Sequence, residues 1–299
     1  MVAAEEQEQP LGGRTILVTR AQEQAEALSS RLQALGAETV TFPVIRLAPP
    51  EDWGPLDRAL LRLATDCEPG DAPYDWLVFT SVNGVRFCVE RLRTLGLEPG
   101  LLRAARVAAI GPATAAALAE HGVSGVLVPE AYVAEQVASA LLAACQQQGT
   151  GPQGQRVLLA RAAEARRVLA DTLRQAGMLV EEVPAYRTLP AADDDPRGQQ
   201  VLALIKAGRL SLATFTSSST VRYFMHWLEQ ACCEHAAETS PAALLARQGV
   251  AIACIGPITA AAARALGLQV TIEAQSFTID GLVSAIVTYY RRLVETLPE

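Results

Sequence analysis

Residues 16–47 read ILVTRAQEQAEALSSRLQALGAETVTFPVIRL, and residues 157–188 read VLLARAAEARRVLADTLRQAGMLVEEVPAYRT. Anchors recur at a constant offset of 141: Arg20 with Arg161, Gly36 with Gly177, Pro43 with Pro184, Arg46 with Arg187. Each segment is an apolar run, a polar loop, a stretch with apolar residues at helical spacing, a glycine and a second β-compatible run. That is a strand–helix–strand unit with a glycine at the helix C-terminus. The same unit is written twice.

More of the chain is paired in the same way. WLVFTSVNGVRF (76–87) has a counterpart in LATFTSSSTVRYF (212–224). AIGPATAAALAEHG (109–122) matches CIGPITAAAARALG (254–267) at eight of fourteen positions. Two closing amphipathic runs follow, VAEQVASALL (133–142) and TIDGLVSAIV (278–287). Such ordered self-similarity indicates an internal duplication. Alternating strands and helices imply parallel sheets with ligands outside the carboxyl ends of the strands. Two polar stretches, CQQQGTGPQGQ (145–155) and PAADDDPRGQQ (190–200), read as linkers or exposed loops, and cutting at the first gives domains 1–148 and 156–299.

The 299 residues are half hydrophobic and exceed one comfortable core, so two domains are expected. A net charge of −7 and 5% aromatics argue against a nucleic-acid or anionic-membrane partner. Cysteines 67, 88, 145, 232, 233 and 254 contain no CxxC, and Cys254 sits in an expected buried strand; they read as reduced thiols of a cytoplasmic protein. The opening MVAAEEQEQPL has neither a basic nor an apolar signal region and reads as a frayed tail. No uncharged apolar run is long enough to span a membrane. A monomer is the default.

In each IGPxT segment the glycine can end a strand in any conformation, and Pro112 or Pro257 suits the first helical position. Thr114 and Thr259 then fall in the first turn, where amides and helix dipole favour an anion. Thr80, Ser81 and Asn83, and Ser217, Ser218 and Ser219, cluster short donors after a strand. They serve equally as helix caps or as ligand contacts. Arg20 and Arg161 follow strands that point at the ligand crevice; each suits a carboxylate or phosphate, or is an ordinary surface arginine. Tyr186 stands where the other copy has Ile45, as a proton donor or a packed ring.

Other chemistries lack their signatures. There is no GxGxxG after a strand, no GxxxxGK[ST] and no GxSxG. His121, His226 and His235 lack metal-ligand spacing, so neither a metal nor a cofactor is expected.

The ordered set ILVTRAQEQAEAL, TFPVI, VFTSVNGV, AIGPAT, PAYRT, FTSSSTV, CIGPITAAAARALG and SFTIDGLVSAI resembles the uroporphyrinogen-III synthase family over nearly the whole chain. The resemblance implies two flavodoxin-like α/β domains joined by a two-stranded linker, with the active site in the cleft between them. It replaces the simple cut by a crossed arrangement: 1–42 with 190–299 (residues 1–12 disordered), and 43–189. It implies a cofactor-free lyase of heme and other tetrapyrrole biosynthesis that closes hydroxymethylbilane, received from the preceding deaminase, to uroporphyrinogen III with inversion of ring D. Tyr186 matches the tyrosine that helps hydroxide depart, and Thr114, Thr259 and Ser217–Ser219 match cleft contacts. The rival reading is a non-enzymatic two-lobed binding protein for a polycarboxylate or other polyanion. A different α/β enzyme, such as a phosphate-sugar transferase, lacks a phosphate loop.

Overall fold

The computed structural model describes residues 9–64, 74–191, 195–233 and 240–295, so Cys67 and His235 lie outside the described residues. The chain divides into two units, Met1–Arg46 with Leu189–Glu299, and Leu47–Thr188. A cut at the 145–155 linker therefore does not describe the fold. The divisions fall at 46/47 and 188/189, inside two neighbouring strands, β3 (Ile45–Ala48) and β7 (Leu179–Pro190).

The first unit holds β1 (Thr15–Val18), β2 (Glu38–Thr41), β8 (Leu212–Phe215), β9 (Ala251–Cys254) and β10 (Ile272–Glu273) in the spatial order β10-β9-β8-β1-β2. All four strand pairings are parallel. The order reverses between β1 and β8, which makes that the switch point of a doubly wound sheet. Strands β1, β8 and β9 are four residues each and buried throughout, as a sheet covered on both faces requires.

The second unit has the order β3-β7-β6-β4-β5, with β4 Trp76–Phe79, β5 Arg106–Ala109 and β6 Arg156–Ala162. β7-β6-β4-β5 pair in parallel and repeat the β2-β1-β8-β9 arrangement. Alternate residues feed opposite faces. Leu77, Phe79, Leu158 and Ala160 enter one core cluster, whereas Trp76, Val78, Val157 and Leu159 enter the other.

The repeated strand–helix–strand segments share a stop signal. After helix Gln22–Ala34, Gly36 has φ 93° and the Ala37 N–H donates to Leu32 O (3.1 Å). After helix Val168–Gln175, Gly177 has φ 88° and the Met178 N–H donates to Leu173 O (3.1 Å). Both left-handed glycines satisfy carbonyls that the helix ends would orphan.

Residues 9–12 correct the expectation of a tail disordered through residue 12. Leu11 is wholly buried, and its N–H donates to Leu35 O at 3.0 Å. An isolated apolar residue in a polar stretch is held because it fills the space beneath the first helix.

Candidate functional site

Each unit gathers the singled-out side chains at the carboxyl ends of its own strands, for a local reason. β4 runs straight into helix Val82–Thr94, and Ser81 caps it: extended backbone turns its Oγ toward the Gly84 N–H at 3.0 Å. The same Oγ lies 3.0 Å from the hydroxyl of Tyr186, supplied by β7. Asn83 also hydrogen-bonds Tyr186. The tyrosine ring is buried and stacks on Phe87, with centroids 5.5 Å apart and 14° between planes. Burial pushes the Tyr186 phenol above its ordinary value, against the Ser81 and Asn83 hydrogen bonds that pull it down. Thr80 sits half-buried beside this group. Strand, cap and aromatic pair thus bring Tyr186, Ser81 and Asn83 together.

In the first unit Ser217 takes the place of Ser81. Its Oγ accepts from the Thr220 N–H (3.2 Å), while the Thr220 hydroxyl donates to Ser217 O (2.7 Å). Ser218 Oγ donates to Ile258 O at 3.4 Å and ties this turn to the second IGPxT segment. Ser219 accepts from Arg222 Nη2 at 3.4 Å. Contacts within the unit therefore engage all three serines.

The IGPxT turns form as read, but the glycines are there for another reason. Gly111 (φ −168°) and Gly256 (φ 173°) are extended, a conformation open to any residue. What crowds a side chain there is an aromatic residue. A β-carbon on Gly111 would meet Tyr132 at 3.2 Å, and one on Gly256 would meet Phe277 at 2.8 Å. Pro112 and Pro257 start the helices, and Thr114 and Thr259 are buried in the first turns (3% and 4% exposed). The Thr114 N–H already donates to Gly111 O at 3.1 Å, so that amide is committed.

The two arginines part company. Arg161 is 6% exposed; its Nη2 is paired with Glu182, and its Nη1 donates to Arg166 O at 2.8 Å. Glu182 also takes Arg174 Nη1 at 2.8 Å. Burial alone would raise the Glu182 carboxyl, yet Arg161 and Arg174 hold it below its ordinary value. The fork of Arg161, expected from the sequence to face a ligand, is thus engaged by partners within its own unit. Among the described residues, Arg20 makes a long contact from Nη2 to Gln24 Oε1 (3.3 Å), and its buried Nε finds no hydrogen-bond partner. Burial, with no acid paired to it among the described residues, pulls its guanidinium below the ordinary value.

A family model described as Uroporphyrinogen-III synthase HemD matches residues 26–284. The chain belongs to the uroporphyrinogen-III synthase family. It is 34% identical to a uroporphyrinogen-III synthase of Synechococcus elongatus, covering 95% of this chain and 98% of that one. Identity to the Chlorobaculum parvum uroporphyrinogen-III synthase is 28%, over 91% and 98% of the two chains. Among solved structures, a mutant uroporphyrinogen III synthase from Thermus thermophilus matches with a TM-score of 0.62 and 20% identity, covering 94% of this chain and 99% of that one. The Helicobacter pylori enzyme matches with a TM-score of 0.55 and 20% identity, over 92% and 99%. Those two share the fold of parallel-sheet α/β units.

Within the family frame, Tyr132 and Phe277 are the site-adjacent residues that motif reading missed. The available signal was their common spacing, each 21 residues after the glycine it covers. Among the described residues no cluster of three or more His, Cys, Asp or Glu side chains could hold a metal ion, and no helix is long and apolar enough to cross a membrane.

Proposed function

We propose that the strand-end residues of both units serve one reaction, the closure and dehydration of hydroxymethylbilane to uroporphyrinogen III with inversion of ring D. The observation that carries the residue assignment is the buried Tyr186 hydroxyl 3.0 Å from Ser81 Oγ. Its raised pKa keeps the phenol protonated across neutral pH, so it is a standing hydrogen-bond donor. The same shift makes it a weak proton-transfer acid. It therefore polarises the departing hydroxyl while the lone pair of the pyrrole nitrogen expels hydroxide, leaving an azafulvenium cation. Ser81 and Asn83 stabilise the charge that develops on the phenol oxygen.

Ring D then attacks that cation through its substituted carbon. The resulting spiro intermediate opens by breaking the original bridge bond to ring D and recloses on the alternative carbon, which then loses its proton, so that hydroxide and proton leave together as water. Orientation of the linear chain decides between this route and direct closure. The substrate is a polycarboxylate, and Arg20, Thr259, Thr114 and the serines of residues 217–219 hold it. Arg20 brings an unmatched positive charge, and a bound carboxylate supplies the counter-ion. A protein of net charge −7 needs such local donors to hold an anion. The matching strand registers favour descent by duplication, with β3 and β7 as the connecting strands.

The test supplies hydroxymethylbilane generated in situ by the preceding deaminase and resolves the isomers formed. Type III product is expected; type I alone, the spontaneous product, would overturn the assignment.

A further inference from the structure

Tyr132 and Phe277 occupy one structural position written twice. Each is the central residue of a three-residue turn: the Val133 N–H donates to Ala131 O at 2.9 Å, and the Thr278 N–H donates to Ser276 O at 2.8 Å. Such i to i+2 turns fix the backbone of the middle residue tightly. In each unit the turn leads into the closing helix, Ala134–Gln147 or Ile279–Glu295. It sets the ring where a β-carbon on the glycine of the IGPxT segment would stand, 3.2 Å from Tyr132 or 2.8 Å from Phe277. Both rings are only half-buried. Neither residue is closed into a core, and each adjoins the glycine that precedes the first turn carrying Thr114 or Thr259.

Packing on glycine alone does not account for this. A leucine or methionine in the same turn would cover a bare backbone as well. A flat ring fixed by its own turn and left partly uncovered is suited to receive another flat ring. Because few rotatable bonds remain to be frozen, stacking there costs little conformational entropy.

We propose that Tyr132 and Phe277 are specificity-determining residues that stack on pyrrole faces of the linear tetrapyrrole and fix the orientation of its rings. The proposal rests on the reading of the reaction given above. Carboxylates anchor the periphery of the substrate through the threonine turns and Arg20, and the rings hold its apolar faces. Loosening a ring allows the chain to close without inverting ring D.

Tyr132→Leu and Phe277→Leu keep an apolar cover over the glycine and remove the flat face. With in situ hydroxymethylbilane, each variant is expected to raise KM about three- to tenfold and to increase the share of type I product. Tyr132→Phe retains the ring and is expected to restore both values. Thermal unfolding of each variant is measured alongside. A lowered Tm with KM and isomer ratio unchanged would overturn the proposal and leave the rings as glycine packing. Equal losses in Tyr132→Phe and Tyr132→Leu would also overturn it, since the hydroxyl would then be the acting group. Formation of type I alone by the unaltered protein would instead sink the reaction assignment, and the stacking role with it.

Discussion

Arg20 and Arg161 stand at equivalent ends of β1 and β6, yet one is open and the other is sealed. The difference lies one strand away. In the second unit Leu159 of β6 is level with Glu182 of β7; in the first, Val18 of β1 is level with Thr41 of β2. A carboxylate therefore faces the arginine in one unit, and a hydroxyl bonded to Ser29 (3.3 Å) occupies the same register in the other. A cation taken out of water needs a counter-charge. Where the fold supplies it, the arginine is neutralised from within; where it does not, the role proposed for Arg20 is to take a ligand carboxylate. In the proposed reading the second unit contributes the Tyr186–Ser81 pair and the first the charge of Arg20.

The sharpest way to break this contrast is Glu182→Gln. It leaves Arg161 buried without a charge partner and is expected to cost about 3 kcal/mol of stability, read as a lowered denaturation midpoint with KM unchanged. Glu182 has a depressed folded-state pKa, so its contribution is full above the ordinary carboxylate range and is lost as pH falls through the folded value. The variant should lose that acid-side dependence. A rise in KM without loss of stability would move Arg161 back among the ligand contacts.

Tyr186→Phe tests the other asset of the second unit. It removes one hydroxyl and keeps the ring stacked on Phe87, so kcat is expected to fall about 100-fold with little change in folding. Because the phenol pKa is raised, the kcat of the unaltered enzyme should show no loss from tyrosine ionisation through neutral pH. A loss setting in below the ordinary tyrosine range would contradict the hydrogen-bond role.

On the open side, Arg20→Gln is expected to raise KM about tenfold with stability nearly unchanged. Thr41→Glu is the more searching change, because it installs in the first unit the acid that silences Arg161. It should raise KM as Arg20→Gln does, and combining the two should add nothing further. Additive effects would show that Arg20 is not the group being neutralised.

The sequence carried the architecture because its signals are local. Apolar runs, the left-handed glycines at 36 and 177, and prolines at helix starts each act over a few residues, and their repetition multiplied the evidence. Which arginine is free was harder to see. Glu182 and Thr41 are themselves 141 apart, so the contrast was present in the alignment, but it matters only once parallel pairing places β7 beside β6. The glycines at 111 and 256 were legible as a turn and not as a bed for Tyr132 and Phe277, because the contact spans 21 residues and two elements. Leu11 was lost in a polar stretch for the same reason: its partner, Leu35, is supplied by the fold.

The smallest expected effect concerns the two threonines with which the units look most alike. Thr114 and Thr259 are buried to the same degree in the same helical turn. In the second unit the Thr114 amide closes on Gly111 O, and its neighbouring loop is organised around Tyr186. In the first, Ser218 bonds the Ile258 carbonyl and links the two donor turns of that unit, and Arg20 brings a positive charge nearby in the chain's first strand-end loop. Thr259→Ala is therefore expected to lower kcat/KM by about fivefold, the loss of about 1 kcal/mol, and Thr114→Ala by less. Paired measurements on both variants decide the matter. Equal losses would mean that the units share carboxylate binding evenly, and the uncompensated charge of Arg20 would then have to be explained by something other than the substrate.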